Sequence, residues 1–569
     1  MLGFAVLISE NLENLEEKFV WKPVFDFQTE HILRTTKMQN VYAEQTTAKR
    51  FIDEKLWLNT DDYFIVIEGV ITNLELLCKR YNTKDYQALI LKMSKQEKFF
   101  NEFTGNFAGY IFLKQQNKHI LFNNHAASKK VFYFHNKNIA VFSTDLFTIS
   151  QKLNDLGISK TLDIEASYFL LTSGFMHENL TLIEEVKQLR AGEYLIFENY
   201  QIKTDFYFHL NNIEQTQDNA NTIIENLDEK FKNAVSLEFQ QDTDNNYTSA
   251  STLSGGLDSR MTTLIAHKNY FRNIECICFC EKKYADEIIA LQIAKSYNLK
   301  IQTYTLTPNS LTAIDDVIKV NDGLAIYSGA GHAFEALQNF NLNNIGFLHT
   351  GMIGDAVMGS FLKNEYETNP LPSDGGDSQT LLPKVEYIFQ KYIKNYKNIE
   401  TYKFYNRATL RANSGFLYFD LAGESASPFL EPDFMIYAFS IPPKMRYKER
   451  IYIDWIKKKH PDIAQFVWEN QGGKPTNNAL LKNYYRYKRA IIKRLPIPSM
   501  WKNGMSPEQL WFDSTPEVKK ILNDYFEENI YRIENYPELQ KDSMFLYKIG
   551  NVTEKTQVLT LLGAVKLLF

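Results

Sequence analysis

Cysteine is scarce in this chain. Four occur in 569 residues, Cys78, Cys276, Cys278 and Cys280, and no two stand as C-x-x-C. That spacing excludes a zinc ribbon and a thioredoxin-type redox motif. Three of them alternate within one short apolar run, which sets them on one face of a predicted strand. They read as buried free thiols in a reducing cytosol, so a cytoplasmic location is expected. No run reaches the roughly 18 apolar residues of a membrane-spanning helix, and no stable membrane insertion is expected. The ending QVLTLLGAVKLLF is too short to span and reads as a packed terminal helix. The opening MLGFAVLISENLE has no basic region before its apolar stretch and turns polar quickly, so no signal peptide is expected. Net charge is small, −5 from 63 basic and 68 acidic residues, which argues against a dedicated nucleic-acid binder. Internal repeats are absent too.

What is present is an ordinary globular composition. Hydrophobic residues make up 44%, charged residues 23% and aromatics 14%. This excludes disorder and collagen-like repeats and provides for large cores. The length suggests two to four domains.

The first 200 residues read mostly as short strands with polar breaks: FAVLI, DYFIVIEGVI, AGYIFL, HILFNN, KVFYFHN, IAVFST and EYLIFEN. Helical patterns interrupt them at 74–80 and 85–100. This alternation predicts an α+β layered domain over residues 1–208. The polar, Asn/Gln-rich stretch 209–222 reads as a linker. A helix follows over about 223–239. Then come strand YTSASTL, helix MTTLIAHK, strand IECICFC, helix DEIIALQIAKSY and strand IQTYTL. The β-α-β-α-β order predicts a doubly wound parallel sheet, an α/β domain over 223–569 whose later part is mainly helical. Residues 364–383 read as a mobile loop.

The sharpest motif is Ser254-Gly255-Gly256-Leu257-Asp258-Ser259, set between an apolar strand and a helix. Two glycines let backbone N–H groups approach phosphate oxygens without a Cβ in the way. The helix presents its positive end to the anion, and Ser254 and Ser259 add hydroxyl donors. An acid in an anion site needs a cation, so Mg²⁺ bridging Asp258 to phosphates is expected. No Gly-Lys-Ser/Thr follows, so this is not a Walker A loop.

The loop resembles the PP-loop of the ATP pyrophosphatases, which cut ATP between its α and β phosphates. Further motifs resemble the asparagine synthetase and β-lactam synthetase family. Thr350-Gly351-Met352-Ile353-Gly354-Asp355 is similar to its S-G-x-G-A-D segment, which implies Asp355 as the second carboxylate on Mg²⁺. Ala422-Gly423-Glu424-Ser425-Ala426-Ser427-Pro428-Phe429-Leu430-Glu431 resembles G-V-E-x-R-x-P-F-L-D, with Ala426 for the Arg and Glu431 for the Asp. The match implies that Glu424 handles the proton of an attacking amine; its structural alternative is a salt bridge. Lys474, in Gln471-Gly472-Gly473-Lys474-Pro475, lies where the family carries its late catalytic lysine, with Lys444 and Lys448 as rivals. A lysine there would neutralise the α-phosphate as pyrophosphate departs. The ATP and pyrophosphate site implied comprises Leu253, Ser254, Gly255, Gly256, Asp258, Ser259 and Gly351.

The first half resembles the same family's Ntn-type glutaminase. EGVITNLELL is similar to D/N-G-x-I-x-N-x-x-E-L, FFNEFTGNFAGYIFL to F-x-x-x-L-x-G-x-F-A-x-x-I, and VFYFHNKNIAVFSTDLFTI to L-Y-Y…F-x-S-D-x-x-x-L. The likeness implies an Ntn-like α+β domain before an adenine nucleotide alpha hydrolase-like synthetase domain. Three departures bear on activity. The family begins M-C-G-I, and this chain begins Met1-Leu2-Gly3-Phe4, with no thiol to form a glutamyl-enzyme. The R-G-P-D segment is missing. Glu68 stands where relatives place an oxyanion-hole Asn, and a carboxylate repels an oxyanion. No glutamine hydrolysis is expected.

The resemblance therefore implies an ATP- and Mg²⁺-dependent carbon–nitrogen ligase. It would adenylate a small-molecule carboxylate and release pyrophosphate, after which ammonia or an amine would displace AMP. Aspartate, a uronic acid in a polysaccharide, and a peptide or small molecule that closes a ring are all open as substrates, and a homodimer is possible. Two other readings stand beside it: a tRNA-base-modifying enzyme, which the net charge and first domain disfavour, and a non-catalytic nucleotide-binding scaffold. Weaker features have structural readings. Asp286 and Glu287 stand at a turn where the resembled family has an acid, and they also suit a helix N-terminus on electrostatic grounds alone. The run Lys482, Arg486, Lys488, Arg489, Lys493 and Arg494 suits a solvated face, with RNA, a polyanionic glycan or acidic lipid as the functional alternatives. Arg407 and Arg411 bind an anionic substrate group or pair with local acids.

Overall fold

The computed structural model describes residues 2–10, 30–494, 500, 501 and 504–569. The polar turn of the opening segment after residue 10 lies outside them, as do the side chains of Arg486, Lys493 and Arg494 in the basic run.

Two six-stranded antiparallel sheets build the first half. One runs Lys187–Gln188, Phe132–His135, Ile139–Ser143, Gly3–Ser9, Val41–Ala48, His31–Met38 in spatial order. The other runs Gln201–Phe206, Glu193–Glu198, Lys118–Asn123, Gly105–Leu113, Tyr63–Ile71, Trp57–Asn59. Period-2 alternation explains their stacking. Phe4, Val6 and Ile8 point inward against Phe64, Val66, Tyr110 and Leu195 of the other sheet. Ala5 and Leu7 point outward, where helix Leu146–Asp155 packs. Ile65, Ile67 and Ile111 face outward under helices Leu74–Tyr81 and Tyr86–Met93. The result is four layers, helix–sheet–sheet–helix. The strand Val41–Ala48 lacks an apolar signature because its buried Gln45 and Thr47 serve a polar cluster.

Residues 209–222 are not a bare tether. Leu210 is buried with its N–H on the Tyr405 hydroxyl, and Thr216 N–H donates to Ser440 O. Asn219 caps helix Ala220–Asp244 by accepting from the N–H groups of Asn221 and Thr222.

The second half carries a five-stranded parallel sheet in the order Lys300–Thr305, Ile274–Cys280, Thr248–Thr252, Ile345–His349, Glu424–Ala426. The chain moves outward one way from Thr248–Thr252 and then returns on its other side. The order therefore reverses between that strand and Ile345–His349, and ligands of open α/β sheets bind at the carboxyl ends of such strands. Cys276, Cys278 and Cys280 are buried and free, as their alternation predicts. The terminal helix Val552–Leu568 is buried among Ile164–Ser173, Ile314–Val320, Pro516–Asn529 and Pro537–Ile549. Among the described residues, no helix is long and apolar enough to cross a membrane.

The expectation of a mobile loop over 364–383 needs correction. The segment is tied at several points: Asp377 N–H and Ser378 N–H both donate to Thr172 O, Lys363 pairs with Asp374, and Ser378 donates to Glu554. These bonds fix it against both halves.

Candidate functional site

A cleft of about 590 Å³ opens at the carboxyl ends of the parallel strands, where the strand order reverses. Residues of the two loops that leave Thr248–Thr252 and Ile345–His349 line it: Ser254, Gly256, Asp258 and Ser259 from one, Gly351 and Asp355 from the other.

The first loop is internally braced. Ser254 N–H donates to Ser259 Oγ (3.1 Å), Gly256 N–H donates to Ser254 Oγ (3.1 Å), and the two hydroxyls bond each other (3.0 Å). Gly255 N–H donates to Asp286 Oδ1 at 2.8 Å. Behind the loop, buried Arg260 donates to the carbonyls of Gly255 and Val467. The helix Asp258–Lys268 starts with no side-chain cap on its first N–H groups. These leave a positive helix end facing the cleft, with a buried guanidinium beneath it.

The second loop comes unusually close. A Cβ on Gly351 would meet Asp258 C and Ser259 N at 2.3 Å, and one on Gly354 would meet Asp258 Cγ at 2.8 Å. Only glycine permits that approach. Ile353, β-branched, takes φ 66°, a left-handed conformation that such residues avoid. The strain turns the chain so that Asp355 N–H donates to Asp258 Oδ2 at 3.0 Å.

The carboxylate of Asp258 is thus placed beside that of Asp355. Burial, and then the Asp355 charge, push the Asp258 pKa well above the carboxylate range, against a 2.8 Å hydrogen bond from the Tyr452 hydroxyl. Asp286 also rises, to about 6, because it is buried. Across the cleft, Arg407 and Arg411 project from a π-helical segment, Phe404–Ala412, and both grip Asp377. Burial lowers the Arg407 pKa while the charge of Asp355 acts to raise it. Met352, Phe361 and Phe419 give the remaining wall an apolar character. Of the two readings of the arginine pair, the structure shows the pairing with a local acid, and both residues also line the cleft.

No model of a known protein family and no curated protein matches this chain. Among solved structures it is similar to one described as the allosteric regulatory enzyme of purine biosynthesis, with 8% identity, 53% of this chain and 74% of that chain covered, and a TM-score of 0.23. Another is glutamine phosphoribosylpyrophosphate amidotransferase from B. subtilis complexed with ADP and GMP, with 7% identity, 53% and 80% covered, and a TM-score of 0.24. Likenesses that loose leave the chemistry to be argued from the cleft's own residues.

Not every expected site residue reaches the cleft. Leu253 is core, its N–H bonded to Ile277 O. Glu424 is the main correction. It lies in the edge strand Glu424–Ala426, 3% exposed, with Lys55 Nζ at 2.6 Å and Lys129 Nζ at 3.0 Å. Burial alone would raise its pKa, but the two lysines hold it down at about 2. Both oxygens are taken by cations from the first half, so the carboxylate stands in a buried salt bridge, the structural alternative of the sequence reading. Lys474 is exposed and does not line the cleft. Glu68 is held by Gln45 (2.9 Å) and Thr47 (3.1 Å). Asp286, Arg260 and Tyr452 support the site; the resembled family's acid at this turn points to Asp286, and none of the motifs points to the other two. The spacing of Asp286 after the strand Ile274–Cys280 was the available signal.

Proposed function

We propose that this chain is an ATP-dependent carbon–nitrogen ligase that adenylates a carboxylate, releases pyrophosphate, and passes the acyl group to ammonia or an amine. The observation that carries the reading is the pairing of Asp258 with Asp355 beside a phosphate-type loop at the strand-order reversal. A half-buried carboxylate and an exposed one that repel each other are stabilised by a cation. Among the described residues no three of His, Cys, Asp and Glu form a ready-made metal cage. That suits Mg²⁺, which takes one or two carboxylates and completes its shell with water and phosphate oxygens. Asp258 and Asp355 would hold it, and the ion would neutralise charge on the leaving pyrophosphate.

The chain's own residues do the rest. The uncapped N–H groups of Asp258–Lys268 receive phosphate oxygens. Asp286 and Arg260 hold the loop in shape. Arg407 and Arg411 orient the substrate carboxylate in exchange for Asp377, and the apolar wall keeps water from the acyl-adenylate. The first half supplies no glutaminase chemistry. The buried free thiols suit a reducing, cytoplasmic setting.

The displaced Glu424 and Lys474 favour a second reading, a nucleotide-binding scaffold without turnover. Pyrophosphate release from Mg-ATP, measured with aspartate plus ammonia and then with a panel of carboxylates and amines, separates the two. Release that depends on one acid supports the ligase. ATP binding without release from any acid supports the scaffold.

A further inference from the structure

A second and larger cleft, about 980 Å³, adjoins the first. Glu449 lines it, and the charge of Asp355 in the first cleft is felt at Glu449, as that of Glu449 is at Asp258. The backbone at this junction is strained: Lys448 and Glu449 take φ 56° and 57° in succession, left-handed values that non-glycine residues seldom adopt.

Five cations line the second cleft beside the acids Glu449 and Asp454, and three of the five form no ion pair among the described residues. Arg450 pairs with Glu365, and Arg489 donates to the carbonyls of Glu469 and Asn470. Lys448, Lys457 and Lys482 form no ion pair among the described residues. Burial and then the nearby charge of Lys457 lower the Lys482 pKa, and the charges of Asp454 and Glu449 only partly offset them. Such crowding is relieved by an anion. One more feature points to a ligand. Gln471 lines the cleft, and its side-chain carbonyl is buried with no hydrogen-bond donor among the described residues. A buried acceptor left without a donor is destabilising, and a ligand that donates to it removes that cost. A ligand that satisfies both features carries an anionic group and an N–H or O–H donor.

The boundary between the two halves offers little room for another approach. Glu424, Lys55 and Lys129 fill it with a buried salt bridge, and the void beside Asn106 and Ser425 holds only about 20 Å³.

We propose that the second cleft binds the nucleophile of the reaction, an amine that also carries a carboxylate, sulfonate or phosphate group. The inference rests on the ligase reading of the first cleft. In the step it serves, the amine nitrogen lone pair attacks the acyl-adenylate carbonyl carbon. The C–N bond forms, the C–O bond to AMP breaks with its electron pair leaving on AMP, and the surplus ammonium proton passes to water. Lys457 and Lys482 hold the acid group, and Gln471 accepts from the amine.

The test uses the full chain and three probes, glutamate, taurine and O-phosphoethanolamine, against ethanolamine, which lacks an acid. Calorimetry should show at least one acid-bearing probe binding tenfold or more tightly than ethanolamine. Lys457→Ala/Lys482→Ala should weaken that probe at least tenfold relative to ethanolamine, and the milder Lys457→Gln should do so in part. Gln471→Leu should weaken the probe without favouring inorganic phosphate. Several results would overturn the proposal: no acid-bearing probe binding, ethanolamine binding equally well, inorganic phosphate binding as tightly as the amines, or the lysine variants losing ATP instead. The readouts also separate the two claims. Lysine-dependent amine binding with no pyrophosphate release from any acid would sink the ligase reading and leave an anionic-amine site standing.

Discussion

Glu424, which begins an edge strand, and Asp258, which begins the helix after a central strand, are buried and half-buried acids of one parallel sheet, and both belong to motifs that suggested chemistry. Their surroundings differ. Glu424 sits at the boundary between the halves with two lysines on its oxygens, and its pKa falls to about 2. Asp258 sits in the cleft with a hydroxyl, a backbone N–H and another carboxylate, and its pKa rises. A buried carboxylate whose cations come from the protein is structure. One whose cation is missing from the protein is where a ligand's cation belongs.

Substitutions can break that comparison. The largest effect is expected from Glu424→Ala, which leaves Lys55 and Lys129 buried and uncompensated. Unfolding in urea should show a loss of about 3–5 kcal/mol. Because the folded pKa of Glu424 is depressed, its contribution is present above about pH 4.5 and disappears only as pH falls through about 2. Next comes Asp258→Asn. Carboxylate-dependent pyrophosphate release should fall about 10²–10³-fold, while the melting temperature without nucleotide stays the same or rises, since a repelled carboxylate is gone.

A smaller effect tests the brace under the loop. Asp286→Asn keeps an acceptor for Gly255 N–H and removes a carboxylate whose folded pKa is raised to about 6. A raised carboxyl stabilises the fold at low pH and loses that contribution as pH rises from about 4 through 6. The variant should match the wild type near pH 4 and exceed it by up to about 2 kcal/mol at pH 8, checked by unfolding at both pH values. The smallest effect is expected from Lys474→Ala. As an exposed residue outside the cleft, it should shift stability by no more than about 0.5 kcal/mol and leave pyrophosphate release unaltered.

Local patterns carried much of this in the sequence. The strand–Gly–Gly–helix order around Asp258 and the alternating cysteines depend on near neighbours, and both hold in the structure. The approach of residues 350–355 also had a signal, since Gly351 and Gly354 admit Asp258 where a Cβ would not. What depends on distant partners was not legible. The strand Glu424–Ala426 has three residues, too few for a period, and its lysines lie about 300 or more positions away. The polar strand Val41–Ala48 hides its burial because Gln45 and Thr47 answer Glu68. Residues 364–383 look loose in composition, yet Thr172, Glu554 and the Arg407–Arg411 pair hold them.

The most direct test is carboxylate-dependent exchange of labelled pyrophosphate into ATP, run on the wild type, Asp258→Asn and a folded Glu424→Gln. The account predicts exchange with one acid in the wild type and in Glu424→Gln, and exchange at least about 100-fold slower in Asp258→Asn. Exchange that survives undiminished in Asp258→Asn, or that vanishes in a folded Glu424→Gln alone, would contradict it.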